Sequence, residues 1–296
     1  MNEENIAFGD LLLATAQSGN EDLAAVALQR LREAPEILVA FGRLALLAAS
    51  QNGFTSVVRL LVGEQRIGEG CVYEDGSTPL MFACHNGKAE CVKVLLSNCG
   101  ENPNQMRSDG ATALVLAAQF GHLGCVMALL ADERLDPNVR KPGDVTALLI
   151  AAQNGHADVV RALLRDTRCS PLAIREDGCN ALIMAVAKSH RESVIHILED
   201  GRIDPNAINE QNADALMIAA VNGYADIVAL LLADRRTNPN HCTPQGSSAL
   251  TLAAESGQTA IVRMLCEDPR HTTMVWSARA HGPRDGGDGL TIRSMQ

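Results

Sequence analysis

The stretch from Asp109 to Leu130 reads DGATALVLAAQFGHLGCVMALL, and the chain returns to this pattern every 34 residues. The position of Thr112 is held in turn by Asp10, Leu44, Thr78, Thr112, Thr146, Asn180, Asp214 and Ser248. Two residues on stands a leucine in every copy, from Leu12 and Leu46 to Leu216 and Leu250. Nine on stands a glycine (Gly19, Gly53, Gly87, Gly121, Gly155, Gly223, Gly257), with Ser189 the one exception. A fixed period of about 20 to 50 residues marks an array of stacked repeats.

Within one repeat, Thr112 is of the type that caps a helix N-terminus, its hydroxyl accepting from the first free N–H groups. Leu44 is the only one of the eight equivalents that is not Thr, Ser, Asp or Asn. Leu114, Ala117 and Ala118 then share a helix face, and Gly121 ends the helix where positive φ is needed. A second helix follows with Val126, Leu129 and Leu130 inward. A proline recurs at Pro35, Pro103, Pro137, Pro171, Pro205 and Pro239, in a context that favours turning. Before each cap comes a residue suited to positive φ: Gly42, Gly76, Gly110, Asp144, Gly178, Asn212 and Gly246. The expected unit is a hairpin-like turn, a short helix, a glycine turn, a second helix and a proline loop.

At these residues the chain resembles the ankyrin repeat family. Ser77-Thr78-Pro79-Leu80 is close to that family's Thr-Pro-Leu-His opening, and Ala117 to His122 and Ala151 to His156 match its Ala-Ala-x-x-Gly-His turn. The resemblance covers roughly Asp10 to Cys266 and implies an all-α solenoid of helix-turn-helix repeats joined by β-hairpin-like loops. The period is one residue longer than the family's usual 33. Apolar residues (Leu47, Met81, Val115, Leu149, Ile183, Met217) replace its opening His, so the polar bond between repeats that this His implies is expected to be missing.

The chain of 296 residues is expected to form one elongated domain, stacked to roughly 80 Å. Residues 1–9 read as an N-terminal extension, 10–266 as the repeat domain and 267–296 as a flexible tail. The unit at Asp10 is expected to be the N-terminal cap repeat, and Gly63 to Gly70, which lacks the loop proline, a looser stretch. Ser189 must take positive φ, or its turn must change shape. Trp276 either docks back on the last repeat or is incidental to the tail, and the last repeat's apolar edge calls for the tail or a further domain to cover it.

A net charge of −10 weighs against nucleic acid, and no apolar run has membrane-spanning length. Nine cysteines without a Cys-x-x-Cys are expected to be free thiols in a reducing compartment. Cys84, Cys91, Cys125 and Cys266 fall at buried phases; Cys71, Cys99, Cys169, Cys179 and Cys242 fall in loops and turns. The acidic start carries no secretory signal, so the expected location is the cytoplasm, with the nucleus left open.

No phosphate loop, His-Glu-x-x-His or nucleophile elbow occurs, and no enzyme, cofactor or metal site is expected. His122, His156 and His190 share a phase to which the family resemblance gives a structural role. In ankyrin-like stacks the recognition surface is the concave one, built from hairpin tips and first helices. That resemblance carries over to His85, Asn86, Gln119, Phe120, Gln153 and Asn154 here, a groove lined mostly by amides with one central aromatic. Phe120 is either an anchor for a partner or folded against its neighbours. Five residues before successive caps stand Tyr73, Arg107, Lys141, Arg175 and Asn209, so three adjacent hairpins carry a basic residue. Asp109 and Asp177 lie close by, making this either a solvated mixed-charge face or a site for an acidic peptide. The expected function is a monomeric scaffold holding a protein or extended peptide on the concave face. The alternative is the regulatory ankyrin portion of a larger enzyme or channel.

Overall fold

The computed structural model describes residues 3–68, 71–98 and 101–271. Cys99 and Trp276 lie outside these residues, as do the tail beyond His271 and the end of the stretch expected to be loose. The helices run in pairs: α1 (Glu3–Ser18) with α2 (Glu21–Leu31), and α3 (Pro35–Asn52) with α4 (Thr55–Val62). A single turn, α5 (Gln65–Gly68), precedes α6 (Pro79–His85) and α7 (Ala89–Asn98). Then come α8 (Ala113–Gln119) and α9 (Leu123–Leu130), α10 (Ala147–Asn154) and α11 (Ala157–Arg165), and α12 (Ala181–Ala187) and α13 (Arg191–Asp200). The series ends with α14 (Ala215–Asn222) and α15 (Ala225–Ala233), and α16 (Ala249–Glu255) and α17 (Thr259–Glu267). First helices pack on first helices of neighbouring repeats and second on second, giving two layers. Among the described residues no helix is long and apolar enough to cross a membrane.

From α6 onward the local chemistry follows the repeat. Thr78, Thr112, Thr146, Asn180, Asp214 and Ser248 each accept from the N–H three residues on, at 2.8–3.4 Å. Ser189 takes φ +59° and keeps the turn that glycine makes elsewhere. The hairpin tips Asp144 and Asn212, at +57° and +58°, do the same at a further position. At Gly121 glycine is required twice over. Its φ is +72°, and an added Cβ would sit 2.5 Å from the His156 ring of the next repeat.

The first two units depart from expectation. Asp10 and Leu44 are not caps; they lie inside α1 and α3, and α3 runs straight through Gly42, where a hairpin tip was expected. The reason is compositional. Pro35-Glu-Ile-Leu-Val-Ala-Phe-Gly42 stands where Pro137-Asn-Val-Arg-Lys-Pro-Gly-Asp144 makes a finger, and helix formers have replaced turn formers. Pro35 starts α3 at its first position, where a missing N–H costs nothing. Gly42 is helical, and its want of a side chain admits Ile67 instead. Residues 65–68, expected to be loose, form the turn α5.

The cysteines split differently from the phase reading. Cys71, Cys169 and Cys179 are buried despite their loop positions, while Cys266, at a phase expected to be buried, is exposed among the described residues. All the described cysteines are free thiols.

Two ladders tie the stack. Asp132/Arg134, Asp166/Arg168, Asp200/Arg202, Asp234/Arg236 and Asp268/Arg270 form ion pairs of 2.6–2.7 Å at 34-residue intervals. Each arginine also reaches back to a carbonyl in the last turn of the preceding second helix: Arg202 to Leu164 at 2.6 Å, Arg236 to Leu198 at 3.0 Å, Arg270 to Leu232 at 2.6 Å. The second ladder is asparagine. Asn104, Asn138, Asn206 and Asn240 donate to the carbonyls of Arg134, Arg168, Arg236 and Arg270 at 2.7–2.8 Å. Leu172 stands at the missing rung.

Glu101 occupies the phase of the buried Leu135, Cys169, Ile203 and Thr237 and is itself only 8% exposed. Its Oε2 accepts from the Leu80 N–H at 3.2 Å, and its Oε1 has no partner among the described residues. Burial pushes its carboxyl up to about 7, against the weaker opposing pull of bonds from Leu80 and Thr78.

Two outcomes follow. Folded protein holds the Glu101 proton up to about pH 7, whereas the unfolded chain releases it near 4.5. The contribution of Glu101 to stability is therefore fully present below pH 4.5 and is lost as pH rises through that window. Glu101→Gln should remove this dependence, matching wild type in urea midpoint near pH 4.5 and exceeding it at pH 8 by the equivalent of roughly 3 kcal/mol. Equal midpoints at both pH values would contradict the assignment. Arg202→Lys keeps the charge and loses the fork, so it should cost about 1–2 kcal/mol in the same assay, whereas Lys93→Arg on an exposed pair should be silent.

Candidate recognition face

The first-helix layer and the hairpin fingers form one face, and Phe120 lies near its middle. Phe120 is the C-cap residue of α8 and is 41% exposed. Its ring meets His85 edge-on, centroids 4.4 Å apart at 69°, and lies nearly parallel to His122 at 6.2 Å. Offset contacts of this kind hold an aromatic ring in place without burying it.

The three phased histidines are structural. The Nε2 atoms of His122, His156 and His190 bond the carbonyls of His85, Gln119 and Gln153, each at 3.0 Å, at the C-terminal ends of α6, α8 and α10. The polar link between repeats is thus supplied here rather than by the apolar Met81, Val115 and Leu149, which are buried.

The amide lining is partly committed. Asn86 Nδ2 donates to Phe82 O and Asn154 Nδ2 to Gln119 O, both at 2.8 Å, so these two serve the scaffold. The side chains of Gln119 and Gln153 make no such bond among the described residues and stay half-exposed. The sequence pattern alone does not separate Asn from Gln here; the shorter side chain is the one that reaches backbone.

The basic positions are mostly neutralised. Arg107 grips Asp109 and Arg175 grips Asp177 within their own hairpins, each with an Nε bond of 2.9 Å. Arg107 holds the Asp109 carboxyl down at about 2, and Arg175 holds Asp177 well below the usual range. Lys141 bridges its hairpin through backbone bonds with Val145, and its charge adds to the pull that holds Asp109 ionised. Tyr73 serves the scaffold, its hydroxyl donating to Arg43 O at 2.9 Å and its ring edge-on to Phe82. The face is one of mixed charge.

A small hollow of about 100 Å³ opens here between Ser77, Met81, Phe82, His85, Arg107 and Leu116. It brings Arg107 and His85 together beside Phe120. Lys141, Gln153 and Arg175 belong to the following one or two repeats and extend the same face rather than the hollow. Of the apolar walls, Met81 was noted in the sequence only as a replacement of the family's opening His, and Phe82 and Leu116 carried no signal there that sets them apart.

The family model for ankyrin repeats matches residues 11–107, 46–141, 130–209 and 201–275. The chain belongs to the ankyrin repeat family. Among solved structures it is similar to the crystal structure of EF0377, an ankyrin repeat protein, with a TM-score of 0.60 and 26% identity. That match covers 66% of this chain and 99% of the other. No curated protein matches. Ankyrin repeats are in general modules of protein–protein interaction, and the fold described above is the ankyrin solenoid.

The division of labour among the amides is testable. Asn154→Ala should lower stability by about 1 kcal/mol, since it strips one bond from a helix-end carbonyl. Gln153→Ala should leave the urea midpoint unchanged.

Proposed function

We propose that this ankyrin repeat protein is an interaction scaffold that holds a protein segment, in extended form, on the face built from the fingers and first helices. The observation that carries the reading is the exposed Phe120 ring, clamped by His85 and set beside the hollow under Arg107. A fixed aromatic loses little freedom on binding and suits a central anchor. Gln119 and Gln153 offer amides to a peptide backbone on either side of it. With Arg107 and Arg175 already answered by Asp109 and Asp177, the face favours a segment that is near neutral rather than strongly acidic.

Peptides selected on the wild-type protein from a random displayed library provide the test, since such a library presumes no partner. Phe120→Ala should weaken the selected peptides by roughly 30-fold, the size of an anchor contribution of about 2 kcal/mol. Circular dichroism should show both proteins equally folded. If no selected peptide depends on Phe120, the reading fails.

A further inference from the structure

The second-helix layer faces away from the fingers, and its solvent positions are charged in nearly every repeat. At one phase stand Arg59, Lys93, Arg161 and Arg263; three residues earlier stand Glu90, Asp158, Glu192 and Asp226. In α9 these two phases hold Met127 and Gly124, and among the second helices α9 alone carries no charged residue. A helix apolar all round belongs in an interior, yet α9 has one side in solvent, with Met127 54% exposed.

Beside it lies a hollow of about 480 Å³, floored by Leu123, Met127, Leu130 and Ala162, a size typical of clefts that take a ligand. Leu123, Met127 and Leu130 fall at i, i+4 and i+7, a ridge and groove suited to the apolar stripe of another helix. The rim charges are almost balanced. Asp158 pairs with Arg161 at 2.8 Å and Asp166 with Arg168 at 2.7 Å. Arg165, on the same rim, has no ion-pair partner among the described residues; Glu199 across the next hollow bonds His196 instead.

We infer that α9 and the groove beside it are a second docking surface, taking an amphipathic helix of a partner protein that presents a carboxylate to Arg165. A second copy of this chain fits less well, because the carboxylates it would bring on this rim, Asp158 and Asp166, are already engaged by its own Arg161 and Arg168. The surface is separate from the face around Phe120, so the two readings stand or fall independently.

The probe is a synthetic amphipathic helix about five turns long, with leucines along one stripe and glutamates flanking it, and a twin carrying lysines instead. Fluorescence anisotropy on the full chain should show the glutamate helix binding wild type better than its twin, against the protein's net charge of −10. Met127→Lys, a residue the stack already carries as Lys93 at this phase, should weaken it at least about tenfold. Arg165→Glu should invert the preference between the twins, and Phe120→Ala should change nothing. The inference is overturned if neither helix binds, if the lysine twin binds wild type better or equally well, or if Met127→Lys is without effect. It is also overturned if sedimentation shows a dimer that Met127→Lys makes monomeric.

Discussion

The structure depends on how the last carbonyls of each helix find donors. From α6 onward the helices are seven to ten residues long, too short to persist alone in water, and every one of them ends in carbonyls without a partner of their own. The next repeat supplies the donors. Arginines 168, 202, 236 and 270 reach the ends of the second helices, and histidines 122, 156 and 190 reach the ends of the first. Folding of one repeat is thereby tied to the presence of its neighbour, in addition to the apolar faces they share. Being charged donors to backbone carbonyls, the arginines make stronger bonds than neutral ones and hold geometry through two prongs.

What could be read from the sequence is what is decided locally. Caps such as Thr112 and positive-φ turns such as Ser189 depend on residues a few positions away, so their spacing suffices to place them. The Asp-x-Arg ladder is just as periodic, but its arginines bond backbone 33 to 38 residues back, and backbone acceptors leave no mark in a sequence. The groove shows the same limit. Asn154 and Gln153 look alike as amides, and only the packing of α8 against α10 decides that one reaches Gln119 O and the other does not. At the N-terminal end, strict phase misled: Gly42 keeps the register of Gly110 but sits in a helix, because the residues before it favour helix over turn.

The ladders are also uneven, and the unevenness is chemical. The Asp-x-Arg pairs begin at Arg134; earlier repeats rely on the long α1 and α3, which pack along much of their length. Leu172 breaks the asparagine ladder between two repeats that the arginine ladder still joins through Arg202. Glu101 puts an ionisable group into the layer where its equivalents are the uncharged Leu135, Cys169, Ile203 and Thr237. The polar ties between repeats are therefore denser from Arg134 onward than in the first repeats.

Scaffold and surface separate on the same ground. A side chain that caps a helix, answers a carbonyl or neutralises a neighbour already has its reason to be there, and Asn86, Asn154, Tyr73, Arg107 and Arg175 all belong to that class. Large apolar residues that stay in water and neither cap a helix nor answer a carbonyl need another reason. Phe120 on the finger face and Met127 on α9 are of this second kind, each large, apolar, exposed and standing in mid-array. A repeat protein can vary such positions freely because no rung of either ladder passes through them. That freedom would let one scaffold carry two unrelated surfaces on opposite layers, each changed by a single substitution without disturbing the stack between them.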